Sequence, residues 1–368
     1  MSLKFLRNVV LKALGLFVAF NLVFAVLPPM EGRRWSLYQG VLPGRERLPF
    51  GETPQRSYNL SLYDLDAMMA SLRLANGHKP ADEFRVVLIG DSATWGTLLR
   101  PQETLAGQLD AVGLQLPDGR QVRFYNLGYP TMSLTKDLMI LDAAMAYEPD
   151  LVIWLVTLES LPGDKQLESP LAQNNAQRVQ RFVRMYDLPL SAPPMPTFWQ
   201  RTWVGQRRAL ADRLRLQLYG VMWAATGIDQ DYPETFTPAA RNLEADASFH
   251  QWTGPSLPEE AMFYEAFKAG KQIAGNVPLL VVNEPILVSK GQNSEVRYNF
   301  YYPRWAYDDY RQQLEEKMNE IGLPYLDAWN VVPEAEFTNS AVHLSPRGVK
   351  QFAEVMQAWL WDWMLANE

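Results

Sequence analysis

Five short apolar runs rich in β-branched residues recur along this chain with helical patterns between them, and that alternation limits the fold more than any other feature. The runs are 85–89 (Arg85-Val86-Val87-Leu88-Ile89), 122–127, 151–156, 279–282 and 324–326. Short runs without polar alternation read as strands buried on both faces, as in a parallel sheet. Between them, apolar residues recur at helical spacing over 104–112, 134–147, 259–274 and 306–321. A last helix starts at Ser345-Pro346, an N-cap serine followed by proline at the first helical position. Its stripe of Val349, Phe352, Ala353, Met356, Trp359, Leu360 and Trp363 predicts a core-facing side that includes both tryptophans. The expected fold class is therefore α/β, a three-layer α/β/α sandwich around a five-stranded parallel sheet, over 81–368.

Three segments stand outside that rhythm. Residues 161–258 are too long for a simple crossover and read as an insertion between the third and fourth strands. The insertion carries a helical stretch over 202–225 with Arg207, Arg208, Arg213 and Arg215, then an apolar tail over 216–228 too short to span a bilayer. Packing on the core is the favoured reading of that helix, with an interfacial or lid helix as the alternative. At the other end, residues 9–27 are apolar apart from Lys12 and Asn21 and end at Pro28-Pro29, close to the roughly 20 residues a bilayer requires. Lys4, Arg7 and Lys12 form a positive flank, which predicts a membrane anchor over 1–28 with everything after it extracytoplasmic, in the periplasm or at the cell surface. Val23-Phe24-Ala25 leaves a cleaved signal open, and a buried amphipathic helix is the third reading. Residues 29–80 are polar and turn-rich, a stalk and covering segment.

Composition narrows the chemistry. The 368 residues include no cysteine and three histidines, so thiol nucleophiles and thiolate metal sites are excluded. A three-His zinc site would consume His78, His250 and His343 together, and no metal or cofactor is expected. His78 and His250 read as solvated loop residues. With 34 basic against 41 acidic residues the net charge is −7, which argues against nucleic acid as a partner.

In an open parallel sheet, ligands bind beyond the carboxyl ends of the strands. Those ends deliver Gly90-Asp91-Ser92, Asn126-Leu127-Gly128, Thr157-Leu158-Glu159-Ser160 and Asn283-Glu284-Pro285, with His343 just before the last helix. A serine on a tight strand-to-helix turn presents its hydroxyl beside backbone N–H donors, and needs an adjacent base. His343 is the best placed base. Asp91 reads as structural, holding the turn through local hydrogen bonds. Gly90 to Gly96 lacks the lysine of a phosphate-binding loop and the glycine pattern of a dinucleotide fold. Six aromatics over 298–307 read first as a packed lid and second as a sugar platform or acyl pocket.

Ile89-Gly90-Asp91-Ser92 with Gly96 resembles the first block of the SGNH/GDSL hydrolase family. Asn126-Leu127-Gly128 is similar to its second block, Asp150 to Trp154 to the strand before its third, and His343 to Gly348 to its last. The resemblance covers about 81–160 and 263–368 and implies a flavodoxin-like sandwich of the SGNH type. It implies a serine esterase with Ser92 as nucleophile and His343 as base. The oxyanion would be met by the N–H groups of Ser92 and Gly128, with Asn126 supporting. The family's oxyanion Asn is replaced here by Glu159, leaving Thr157 or Asn283 as alternative donors. Its triad Asp is replaced by Ser340, leaving Asn339 or a backbone carbonyl to orient the ring, and Glu336, Asp327 or Glu159 to supply charge. The expected activity is hydrolysis of acyl esters, on small molecules or on O-acyl groups of surface glycans or lipids. An O-acyltransferase working with a membrane acyltransferase partner, and a non-catalytic binding protein, are the alternatives.

Overall fold

A computed structural model describes residues 2–27, 36–39, 42–51, 64–75, 78–191 and 193–366. Five strands, β1 (Glu83–Ile89), β2 (Gln121–Asn126), β3 (Leu151–Val156), β4 (Leu279–Asn283) and β5 (Tyr325–Asp327), form one parallel sheet in the order β2-β1-β3-β4-β5. Strand order reverses at β1, which opens a crevice beyond the carboxyl ends of β1 and β3.

Every residue of β3 and β4 is buried, as the unbroken apolar runs require. Side chains alternate across the sheet, so the strands feed two separate cores. Val87, Ile89, Val152, Trp154, Val156 and Val281 face one layer, with the helices Leu134–Ala144, Glu265–Ala274 and Arg304–Ile321 over them. Val86, Leu88, Ile153, Leu155, Leu280 and Val282 face the other, under the helices Leu105–Ala111 and Pro346–Ala366. The three-layer expectation therefore holds, with element ends displaced by a few residues. Glu259 to Ala261 forms a single 3-10 turn, so the helix expected from 259 begins at Glu265. Trp359 and Trp363 are half-buried at the rim of the second core.

Only parts of 29–80 fall within the described residues. There, Leu48, Leu65, Met68, Met69 and Leu72 join the first core, so 42–51 and 64–75 cover the domain as packed structure. The β3–β4 connection also contributes: Leu171, Val179 and Phe182 pack into the same core, and Arg178 pairs with Asp66 and Asp142. One helix, Leu3–Val26, is long and apolar enough to cross a membrane, and only Asn21 and Ala25 in it are buried. Asn21, a polar interruption of that run, has a tertiary partner, because its Oδ1 accepts the N–H of Val204 at 3.0 Å. Val204 lies in the first turn of the helix Trp203–Thr226, where backbone donors lack intrahelical partners.

Candidate active site

β1 ends at Gly90, and Asp91 caps a one-turn helix, Ser92–Trp95, by accepting the N–H of Ala93 on Oδ1 at 2.7 Å. That matches the structural reading of Asp91. Gly96 ends the turn with φ 90°, a conformation that costs glycine little. Four residues make no stable helix alone, and the turn is held from outside. Asn126 Nδ2 donates to Thr94 O at 2.8 Å, while Arg47 Nη1 donates to the carbonyls of Trp95 and Gly96 at 3.0 and 2.9 Å. Arg47 Nη2 reaches Leu99 O, and the same guanidinium forms a buried pair with Asp229 at 2.6 Å.

Ser92 Oγ lies 2.8 Å from His343 Nε2, and His343 Nδ1 lies 2.8 Å from Asn339 Oδ1. An amide oxygen only accepts, so Nδ1 carries the proton and Nε2 is free to accept from the serine hydroxyl. Burial lowers the His343 pKa to about 4, with no carboxylate opposing it, so the ring is neutral at physiological pH. Thr338 donates to the His343 carbonyl, which fixes the loop that carries the ring.

Of the groups offered to orient the ring, Asn339 is the one against it, while Ser340 faces Tyr301. The charged candidates are corrected. Glu336 accepts from Ser345 Oγ, and Asp327 pairs with Arg311, so neither supplies charge to His343. Glu159 does not approach it either. Its carboxylate takes Lys165 on one oxygen and, on the other at 3.1 Å, Nε2 of His250, which lies in an exposed turn. Burial pushes Glu159 up, but the hydrogen bonds from His250 and Lys165 outweigh it and hold the carboxyl below its ordinary range. His78 is exposed, as expected.

The alternative oxyanion donors are engaged elsewhere. The Thr157 hydroxyl is fully buried against Tyr302 OH at 3.0 Å. Asn283 donates to Asp327 and accepts from Tyr307 and Tyr310, all within the core. Gly128 donates its N–H to Asn126 Oδ1 at 2.9 Å, and a Cβ there would sit 2.3 Å from Trp95 N. Its glycine is thus required by the close approach of the β2 loop to the Ser92 turn. What remains at the serine is its own N–H, a first-turn donor with no intrahelical partner, of the kind that meets anions. Of the aromatics over 298–307, Tyr298, Tyr302 and Tyr307 are packed in the core, while Tyr301 is half-buried and Phe300 exposed.

Next to Asp91 lies a strand-end group to which the sequence assigned no role. Glu284, immediately after β4, is 2% exposed, and its carboxyl meets that of Asp91. Asp91 Oδ2 and Glu284 Oε1 have no donor among the described residues, and two facing acceptors in the interior need a shared proton. Burial raises both carboxyls, and the Asp91 charge raises Glu284 further. Lys136, fully buried, donates to Gly90 O at 2.8 Å and to Asp137, whose pKa burial lifts to about 6 against the lysine. Two adjacent charges in a helix whose other residues, apart from Thr135 and Asp142, are apolar were the available signal for Lys136 and Asp137. Arg47 and Asp229 carried none. A cavity of about 640 Å³ lies at the opposite end of the sheet, lined by Phe84, Arg120, Asp150, Pro278 and Trp363 among others, and contains neither Ser92 nor His343.

No family model matches the chain, and no curated protein matches it. Among solved structures it is similar to a member of the lipolytic protein G-D-S-L family from Veillonella parvula, at 10% identity and TM-score 0.34, covering 73% of this chain and 94% of that one. It is also similar to a carbohydrate acetylesterase from Sinorhizobium meliloti, at 14% identity and TM-score 0.31, covering 75% and 98%. An aryl esterase from M. smegmatis aligns at 13% identity and TM-score 0.31, covering 74% and 98%. Likeness at this level does not bear on activity or substrate.

Proposed function

We propose that this chain is a membrane-anchored, extracytoplasmic serine ester hydrolase in which Ser92 is the nucleophile and His343 the base. The observation that carries the reading is the continuous hydrogen-bonded line Ser92 Oγ, His343 Nε2, His343 Nδ1, Asn339 Oδ1. Serine and base lie within hydrogen-bond reach, and a third group holds the base in the productive tautomer.

In this mechanism Ser92 Oγ attacks the ester carbonyl carbon as its proton passes to His343 Nε2. The oxyanion forms at the N-terminus of the Ser92–Trp95 turn, where the Ser92 N–H meets it. His343 then returns the proton to the leaving alcohol oxygen as the carbon–oxygen bond breaks, leaving an acyl-serine. Water, deprotonated by the same nitrogen, hydrolyses it and restores the serine. Imidazolium forms without a carboxylate behind it, so Asn339 positions the ring while contributing no counter-charge. The substrate class is an acyl ester, with O-acyl groups on surface glycans or lipids the preferred targets.

A fluorophosphonate probe tests this directly. It should label the wild type on Ser92, and labelling should be lost in Ser92→Ala and fall steeply in His343→Ala, together with p-nitrophenyl acetate hydrolysis. Equal labelling of Ser92→Ala, or none of the wild type, would overturn the serine mechanism.

A further inference from the structure

The helix Trp203–Thr226 is inverted relative to an ordinary surface helix. Its inward side holds Leu216, Gln217, Gly220 and Trp223, with Gln217 Oε1 accepting from Leu37 N–H at 2.8 Å. Its outward side is apolar: Leu214, Leu218 and Val221 are 54%, 56% and 56% exposed, with Trp203, Val204 and Met222 on the same arc. Trp199, just before the helix, is 74% exposed. Arg207, Arg208 and Arg215 are exposed along the same side. Exposed apolar stripes of this size mark an interaction surface.

We propose that this face rests on an anionic phospholipid surface beside the N-terminal helix, an inference that builds on the anchor reading. The length of that helix sets the level. Residues 3–20 are exposed throughout and rise about 27 Å at 1.5 Å per residue, close to the roughly 30 Å of a bilayer's hydrocarbon. Burial begins at Asn21, where the anchor meets the domain, and Asn21 is bonded to Val204 while Phe20 contacts Trp203 at 6.1 Å. The start of the inverted helix therefore lies at the boundary where an 18-residue span would leave the hydrocarbon. Trp199 and Trp203 belong at that boundary, since tryptophan favours the headgroup level. Arg207 and Arg208, exposed on this side, are placed to present guanidinium groups to lipid phosphates. The chain leaves this helix through Gly227 and reaches Asp229, whose pair with Arg47 braces the Ser92 turn. Lipid seating thus bears on the element that carries the nucleophile and favours acyl esters presented at a membrane surface.

The cysteine-free chain allows a direct test. The full chain carrying Leu218→Cys, Phe17→Cys or Asp118→Cys is labelled with an environment-sensitive fluorophore and reconstituted into phosphatidylcholine vesicles with or without phosphatidylglycerol. The label at 218 should shift to the blue and lose most of its emission to a nitroxide-bearing lipid, more so with phosphatidylglycerol, as the label at 17 does, while the label at 118 stays aqueous. A water-exposed label at 218 with a lipid-quenched label at 17 overturns this proposal and leaves the anchor standing. Water exposure at both sites overturns both. A label at 218 that is shielded from water and lipid alike, with disulfide cross-linking of Leu218→Cys chains, assigns the face to a second copy and also overturns it.

Discussion

His343 has Asn339 rather than a carboxylate at Nδ1, and its titration reports that. Burial holds its pKa near 4, so the neutral ring, the form that accepts a proton, is present above that pH and lost as pH falls through it. The acid limb of kcat/KM should lie near pH 4. Asn339→Asp places a negative charge on Nδ1, favours the imidazolium and should move that limb upward by about 1–3 pH units. Coincident pH profiles for variant and wild type would remove Asn339 from the site. A second residue-level expectation concerns the proton shared by Asp91 and Glu284 next to the Ser92 turn. Glu284→Gln keeps an N–H donor for Asp91 Oδ2 and should unfold at nearly the wild-type denaturant midpoint. Glu284→Leu leaves that oxygen buried without a donor and should cost about 1–3 kcal/mol in the same measurement.

At the scale of elements, the turn Ser92–Trp95 is too short to hold itself, and its geometry is imposed by segments distant in sequence. Arg47 binds three carbonyls of the turn and its exit while paired to Asp229, with both side chains almost fully buried. Arg47→Met strands the Asp229 carboxylate in the interior and should destabilise the fold by about 3–5 kcal/mol in chemical denaturation. Adding Asp229→Leu removes the stranded charge and should restore much of the stability. Fluorophosphonate labelling of Ser92 in the double variant should stay slow, because the turn still lacks its brace. Full recovery of labelling with stability would reduce Arg47 to a purely structural ion pair.

At the scale of the whole molecule, the chain should fractionate with membranes at its full 42.0 kDa, resist carbonate washing and be released by detergent. An intact mass beginning after Ala25 would replace the anchor by a cleaved signal. The sandwich was readable from the amino-acid sequence because its causes are local: unbroken β-branched runs demand burial on both faces, and helical stripes demand a sheet to cover. Ser92 and His343 were readable as partners because a parallel sheet gathers strand ends and the N-terminus of the following helix at one edge. The helpers were not. Glu159 finds His250 across 91 residues of chain, and Arg47 finds Asp229 across 182. Asn339, Glu336, Asp327 and Glu159 all stood as candidates for one ring, and only Asn339 points at it. Such pairings have no periodicity to betray them. They are settled when loops from separate elements pack, and the cost of leaving a buried polar group unmatched selects which ones meet. Sequence alone determined the layers and brought Ser92 and His343 to one edge, and tertiary packing decided what stands behind that hydrogen-bonded pair.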